Sequence, residues 1–233
     1  MAHLTGQERA HYVQTMFARI AGRYDRMNRL MTFGQDRRWR EMLVHAAVLP
    51  EGGRLLDIAT GTGDIAYEAL RQVPGVRVVA ADFSLPMMQV GKAKPGSGQV
   101  GWLGADTFQL PFADNSFDAV TSGFLLRNVT DVVAALREQR RVVRPGGHLV
   151  CLETSPPPDN LLRPAIEMHL RYVIPTVGTL VSGSSYAYTY LPQSSKAFME
   201  PEALAEAFRV AGLRLVRFKR LMFGTIAIHV GVK

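Results

Sequence analysis

The chain has 233 residues, enough for one α/β domain with a full hydrophobic core. Hydrophobic residues make up 47% and charged residues 20%, a balance that argues against extended disorder. The formal charge of +7 comes from scattered arginines and lysines without interleaved aromatic residues, which argues against a nucleic-acid platform, so no such partner is expected.

The amino terminus, MAHLTGQERAHYVQ, is polar and lacks the apolar core and small-residue cleavage site of a secretory signal; a cytoplasmic location is expected. Residues 8–49 read as helical, with Phe17, Ile20, Tyr24, Met27, Leu30 and Met31 recurring at three and four. From Arg54 onward short apolar runs take over: RLLDIAT, VRVVAAD (76–82), QVGWLGAD (99–106), FDAVTSGF (117–124) and HLVCLET (148–154). These predict buried parallel strands. KAKPGSGQ (Lys92 to Gln99) predicts a surface loop. DVVAALREQRRVV (131–143) predicts an amphipathic crossover helix stopped by the RPGG of Arg144 to Gly147. Strands alternating with helices imply an α/β, doubly wound, Rossmann-like sheet with helices on both faces.

After SPPPDN comes an apolar stretch, residues 161–183, that carries Arg163, Glu167, His169, Arg171 and two prolines. A helical insertion fits it better than a membrane span. EPEALAEAFRVAGL (200–213) predicts a helix, and the two runs after it a terminal hairpin. One domain is therefore expected over 1–233: a helical lid (1–50), a ligand-binding core (51–155), the insertion (156–199), and a closing helix and hairpin (200–233). Cys151, the only cysteine, is expected in a buried strand, so no disulfide framework exists. His45, His148, His169 and His229 show no metal-ligand spacing, and each is read as structural with no metal expected.

In LLDIATGTGDIA, Gly61, Gly63 and Ala66 satisfy G-x-G-x-x-A between a strand and a helix, and Asp82 closes the next strand. That pattern alone leaves the ligand open between a dinucleotide and another nucleoside. Charge discriminates further. Asp57 and Asp64 flank the turn, and each would oppose a pyrophosphate by roughly 1 to 4 kcal/mol at intermediate dielectric. S-adenosylmethionine carries a sulfonium, an ammonium and a ribose but no phosphate. Asp57 would face the ammonium, directly or through water, Asp82 would accept both ribose hydroxyls, and Asp106 would accept the adenine amino group. The alternatives are that Asp57 orders the turn, Asp64 caps the helix and Asp106 caps a loop.

LPFADNSFDAV (110–120) ahead of the fourth strand resembles class I methyltransferases. YDRMNRLMTFGQDRRW (Tyr24 to Trp39), LLRNV (Leu125 to Val129) and RVVRPGGHLVCLETS (Arg141 to Ser155) together resemble, over nearly the whole chain, the demethylmenaquinone and ubiquinone-precursor C-methyltransferase family. The resemblance implies a seven-stranded fold and methylation of a ring carbon on a prenylated quinol. Demethylmenaquinol is favoured over the ubiquinone-precursor benzoquinol, with another small molecule as the remaining alternative. It assigns cofactor contacts to Thr62, Asp82, Asp106 and Thr107; with Asp57, Thr60, Gly61, Gly63, Phe83 and Gly123 these make up the expected cofactor-binding set. Thr32 and Asp36 stand where the family usually has serine and histidine, and Gly123 where it often has serine, leaving Ser122 or backbone to substitute.

A ring carbon becomes nucleophilic once a neighbouring phenol loses its proton, and moving a hydroxyl of pKa near 10 to neutrality needs roughly 4 kcal/mol. Arg127 is expected to supply part of this by stabilising the anion or polarising a water. Asp82 or another acid is the expected proton acceptor, since arginine is a poor one. Asn128 is expected to orient that water or bond a quinol oxygen, or else to cap a helix. Arg127 would alternatively pair with Asp25 to pin the amino-terminal helix. Tyr24, Asp25 and Asn28 would lid the pocket, with Met27 in the core. Residues 161–190, with Met168, Tyr172, Val173, Ile174, Val177, Leu180 and Tyr186, are the expected wall for an isoprenoid tail. Transient contact with an anionic membrane surface suits the apolar insertion and basic charge, and a homodimer is entertained as the assembly.

Overall fold

The computed structural model describes residues 6–173, 176 and 194–233. In chain order the core elements are α1 (Gly6–Met31), α2 (Gln35–Ala46), β1 (Arg54–Ile58), α3 (Asp64–Gln72), β2 (Arg77–Asp82), α4 (Leu85–Lys92) and β3 (Val100–Gly104). They continue with β4 (Phe117–Gly123), α5 (Val132–Val142), β5 (Val143–Thr154), α6 (Arg163–Met168), α7 (Pro201–Val210), β6 (Arg214–Leu221) and β7 (Ile226–Val232). The sheet has seven strands in the order β3-β2-β1-β4-β5-β7-β6. The pairings among β1 to β5 are parallel, while β7 runs antiparallel to both β5 and β6. This is the expected doubly wound sheet, closed by the expected terminal hairpin.

Burial on both faces explains why the strands read as continuous apolar runs rather than alternating ones. Leu55 packs on one face with Trp39 and Leu43 of α2 and Ile65 of α3. Its neighbour Leu56 packs on the other with Leu136 of α5 and Leu204 and Phe208 of α7. Cys151 is wholly buried in β5, as expected, and burial pushes its thiol up to about 12. α1 buries Val13, Met16, Ile20 and Met27 in a cluster of their own, packed over α4.

The structure corrects three boundaries. The helical stretch 8–49 is two helices, because Phe33 and Gly34 both take left-handed backbone (φ 52° and 78°) and end α1. The RPGG segment is part of β5, which begins directly after α5 and shifts register against β4 between Phe117 and Ala119. The loop expected over 92–99 is partly helical, with Lys92 ending α4 and a 3-10 turn at Ser97–Gln99. The insertion opens as α6 and passes into a π-helical turn at His169–Val173; Ile174, Val177, Leu180 and Tyr186 lie outside the described residues. Among the described residues no helix is long and apolar enough to cross a membrane.

Candidate active site

The carboxyl ends of β1, β2 and β3 meet at the glycine turn. Ala59, Gly61 and Gly63 there have positive φ (52°, 59° and 81°), and a side chain on Gly63 would strike Trp102, 2.6 Å from its Cη2. Only glycine satisfies both demands.

Asp57 does not reach this surface. It is fully buried, its Oδ2 accepting from Thr60 Oγ1 at 2.6 Å and its Oδ1 from Thr121 Oγ1 at 2.9 Å. Desolvation pushes its carboxyl up to about 7 against those two hydrogen bonds. The turn-ordering alternative therefore holds, and the direct ammonium contact is corrected. Thr60 is spent on Asp57, and Thr62 turns toward the lid, donating to Asp25 Oδ1 at 2.6 Å. Asp64 opens α3 but is paired with Lys94 at 2.6 Å and Arg40 at 3.2 Å. Its charge is neutralised inside the protein, so it no longer argues against a phosphate.

Asp82 and Asp106 carry that argument instead. Both line a cavity of about 360 Å³ with Gly61, Phe83, Thr107 and Gly123. Two backbone amides fix Asp82: Gly61 N–H donates to Oδ2 and Ser84 N–H to Oδ1, each at 2.7 Å. Burial raises its pKa, with those amides opposing. Asp106 Oδ1 accepts from Phe108 N–H at 2.9 Å. Each carboxylate keeps acceptor capacity toward the cavity. Among the described lining residues there is no lysine or arginine. A Cβ at Gly123 would meet only Ile65 Cδ1, at 2.9 Å, the movable end of a flexible side chain, so the packing does not demand glycine there. Val13, Phe17 and Tyr24 of α1 roof the cavity, and Gln14 donates to the Phe83 carbonyl at 2.8 Å.

A second cavity of about 140 Å³ lies against the first, with Tyr24 and Phe124 lining both. Asn28, Trp39, Arg127, Ser155 and His169 complete much of its wall. Arg127, 5% exposed, lies 3.2 Å from Glu153 Oε2 and 4.9 Å over the Phe124 ring. Glu153 also accepts from Leu126 N–H at 2.6 Å; burial raises its pKa and the Arg127 charge opposes. Asn128 lines the larger cavity and donates to the Phe124 carbonyl at 3.0 Å. The alternative pairing of Arg127 with Asp25 is not what forms: Asp25 is held by Lys94 at 2.7 Å and Thr62. Tyr172 is 58% exposed and outside both linings, and Met168 and Val173 are also exposed, so these three are not the tail-binding wall expected of them.

The ubiE/COQ5 methyltransferase family model matches residues 4–233. The chain belongs to the ubiE/COQ5 methyltransferase family. It is 47% identical over 221 residues, covering 95% of this chain and 90% of the relative, to the ubiquinone/menaquinone biosynthesis C-methyltransferase UbiE of Desulfotalea psychrophila. It is 44% identical over 226 residues (97% of this chain, 95% of the relative) to the demethylmenaquinone methyltransferase of Roseiflexus castenholzii. The fold matches the crystal structure of a SAM-dependent methyltransferase from Aquifex aeolicus, with a TM-score of 0.61 at 18% identity over 83% of this chain and 89% of that one. The resemblance carried by Tyr24 to Trp39, LLRNV and Arg141 to Ser155 is borne out, and the protein is a methyltransferase.

Within the ubiE/COQ5 framework, Asp36, where the family usually has histidine, is buried and paired with Arg29 and Arg40; Thr32 donates its hydroxyl to the Asn28 carbonyl and to Asp36. These contacts anchor the segment joining α1 to α2. Sequence reasoning missed Glu153, Lys94, Arg40 and Ser155. A charge inside the apolar run LVCLET was the one available signal for Glu153, since an acid buried in a central strand needs a partner. His169, read as structural, instead lines the smaller cavity. His229 does sit in the core, its Nε2 2.9 Å from the Pro201 carbonyl and its pKa pushed down to about 4 by burial.

Proposed function

We propose that this methyltransferase uses S-adenosylmethionine to methylate a ring carbon of a prenylated quinol, with demethylmenaquinol as the substrate. The observation that carries the cofactor is that the larger cavity is lined, among the described residues, by two carboxylates and no cation. A pyrophosphate would meet uncompensated repulsion there, whereas a cationic nucleoside without phosphate meets attraction. The cavity fits that group in detail. Asp82, held by two amides, presents remaining lone pairs to a ribose diol, and Asp106 does the same for an exocyclic amine. Phe83, Met87 and Phe108 supply apolar surface for a purine. When bound, the cofactor supplies an electrophilic methyl group on a cationic sulfur.

The substrate reading rests on the names of the relatives and on the smaller cavity. Trp39, Phe124, Met222 and Ile226 offer an aromatic ring apolar walls, and Arg127 is the cation beside it. Its guanidinium favours a phenolate over a phenol and so supplies part of the roughly 4 kcal/mol needed to ionise the ring near neutrality. Glu153 holds Arg127 in place while drawing off part of its field. Tyr24 and Phe124, shared by the two cavities, lie where ring and methyl donor would meet.

Exposed Leu30, Phe33, Leu161, Leu162, Met168 and Tyr172, with Arg37, Arg38 and Arg171 also exposed, suit peripheral contact with an anionic bilayer at the inner face of the cell membrane. Such contact would deliver a prenylated ring without extracting its tail.

The test is incubation of the purified protein with labelled cofactor and reduced short-chain naphthoquinols and benzoquinols, read by mass spectrometry. A carbon-bound methyl on the naphthoquinol ring is expected. Methylation confined to oxygen, or none on either ring, overturns the substrate; tight NADH binding in a parallel titration overturns the cofactor.

A further inference from the structure

We infer that His169 accepts the proton that the quinol hydroxyl loses before its ring is methylated, an inference that rests on the quinol reading above. The smaller cavity poses the problem. Arg127 stabilises an anion but cannot take a proton at neutral pH. Tyr24 is half-buried and desolvation raises its pKa against the Asn28 hydrogen bond and the Arg127 charge, so it stays protonated and serves as a donor. Thr32, Thr154, Ser155 and Thr225 are hydroxyls, and Asn28 is an amide; none accepts a proton near neutrality. Among the described lining residues His169 alone is of a type that does.

The acids previously open to this role are out of position. Asp82 lines the other cavity, beyond Tyr24 and Phe124. Glu153 is 1% exposed, absent from the lining, and already accepts from Leu126 N–H and Arg127. His169 opens the π-helical turn, a distortion that re-aims side chains, and its ring lies against Phe33 at 6.1 Å between centroids. Arg127 and Tyr24 are the charged and titratable groups across the cavity; Arg171 follows on the same turn, and Glu167 is engaged by Arg163 at 3.2 Å.

The step balances. The quinol O–H bond breaks, its proton forms an N–H bond on the imidazole, and the electron pair left on oxygen delocalises to the ring carbon. That carbon forms the bond to the methyl group as the sulfur–methyl bond breaks, its pair passing to sulfur. Rearomatisation releases the carbon-bound proton to solvent, and the imidazolium returns its proton to the oxygen. One proton is released per turnover, and no redox partner is needed.

The test compares wild type with His169→Gln and His169→Ala on a short-chain naphthoquinol. Both variants are expected to lose about 10²- to 10³-fold in kcat at pH 7, to keep wild-type cofactor affinity by calorimetry, and to lose the acidic limb of the kcat–pH profile. Added imidazole should restore turnover to His169→Ala. A second readout needs no turnover: without cofactor, a ring-blocked naphthol bound to wild type should ionise at lower pH than when bound to His169→Gln, read by ultraviolet absorbance. Gln and Ala variants within threefold of wild type, with the acidic limb intact, overturn the inference while leaving the quinol substrate standing. Wild type that methylates no quinol overturns the substrate and the inference together.

Discussion

The two cavities share Tyr24 and Phe124 yet are built in opposite ways. The larger one is local: Asp82 and Asp106 sit at the ends of adjacent strands, and backbone amides of neighbouring turns hold them. The smaller one gathers α1, the turn after β4, the end of β5, the π-helical turn and the hairpin, and its central cation is held by an acid 26 residues away. A site made from strand ends tolerates the loss of one side chain, because backbone defines its shape. A site hung on one buried ion pair does not.

Truncating the ion pair is therefore the largest expected effect. Arg127→Ala leaves Glu153 buried without its counter-charge, which costs about 3 to 5 kcal/mol of stability and lowers turnover in whatever fraction stays folded. Glu153→Gln keeps the shape but leaves the Arg127 guanidinium, which cannot shed its proton, buried without its counter-charge, and should cost a comparable amount in urea denaturation. The double variant Arg127→Ala/Glu153→Gln should then lose less than the sum of the two, and strict additivity would mean that the two charges are not coupled.

Asp57 offers the same contrast within the glycine turn. Its folded pKa near 7 lies above its ordinary 3.8, so its favourable contribution is complete below pH 3.8 and disappears as pH rises through 7. Between pH 5 and 8 this group alone should weaken wild type by about 3 kcal/mol. Asp57→Asn mimics the neutral form and should show a flatter denaturation midpoint over that range, gaining on wild type as pH rises. Parallel profiles would show that Thr60 and Thr121 already satisfy the charge.

Asp82→Ala comes next. It strips acceptors from the ligand while the turn stays framed by Thr60 N–H on the Ala81 carbonyl, so cofactor affinity should fall about 100-fold, the value of two charge-assisted hydrogen bonds at the lower end of their range. Thermal stability should fall as well, because Gly61 N–H and Ser84 N–H lose their acceptor. Calorimetry that finds affinity intact removes Asp82 from the ribose.

The same division explains what could be read from residues alone. Strand positions were legible because two-sided burial writes Val, Leu and Ile in unbroken runs. Asp82 and Asp106 were legible because strand ends in a parallel sheet face the ligand edge. Asp57 misled because composition reveals a charge but not its partners, and Thr121, which satisfies it, is 64 residues further on. Arg127 was found by motif while Glu153 was not, since their pairing exists only once β4 and β5 lie side by side. The break after α1 stayed hidden because apolar spacing continues across it, while the two left-handed residues that end the helix leave only Gly34 as a sign.

The smallest expected effect probes the seam between lid and turn. Asp25 on α1 accepts from Thr62 Oγ1 and from Lys94, and Lys94 also holds Asp64 at the start of α3. Lid, glycine turn and the segment after α4 are thus bound through one carboxylate. Lifting α1 to release a ligand from the cavity it roofs means breaking this link. Thr62→Val keeps the shape and deletes one hydrogen bond to a charged partner, worth about 1.5 kcal/mol, leaving the half-exposed Lys94 pair to hold alone. The cofactor should leave several-fold faster in stopped-flow, with kcat nearly unchanged, and the amides of α1 should exchange faster while those of β1 do not. Uniform exchange across both elements would mean that the lid is clamped by the packing of Val13, Met16 and Ile20 rather than by this polar seam.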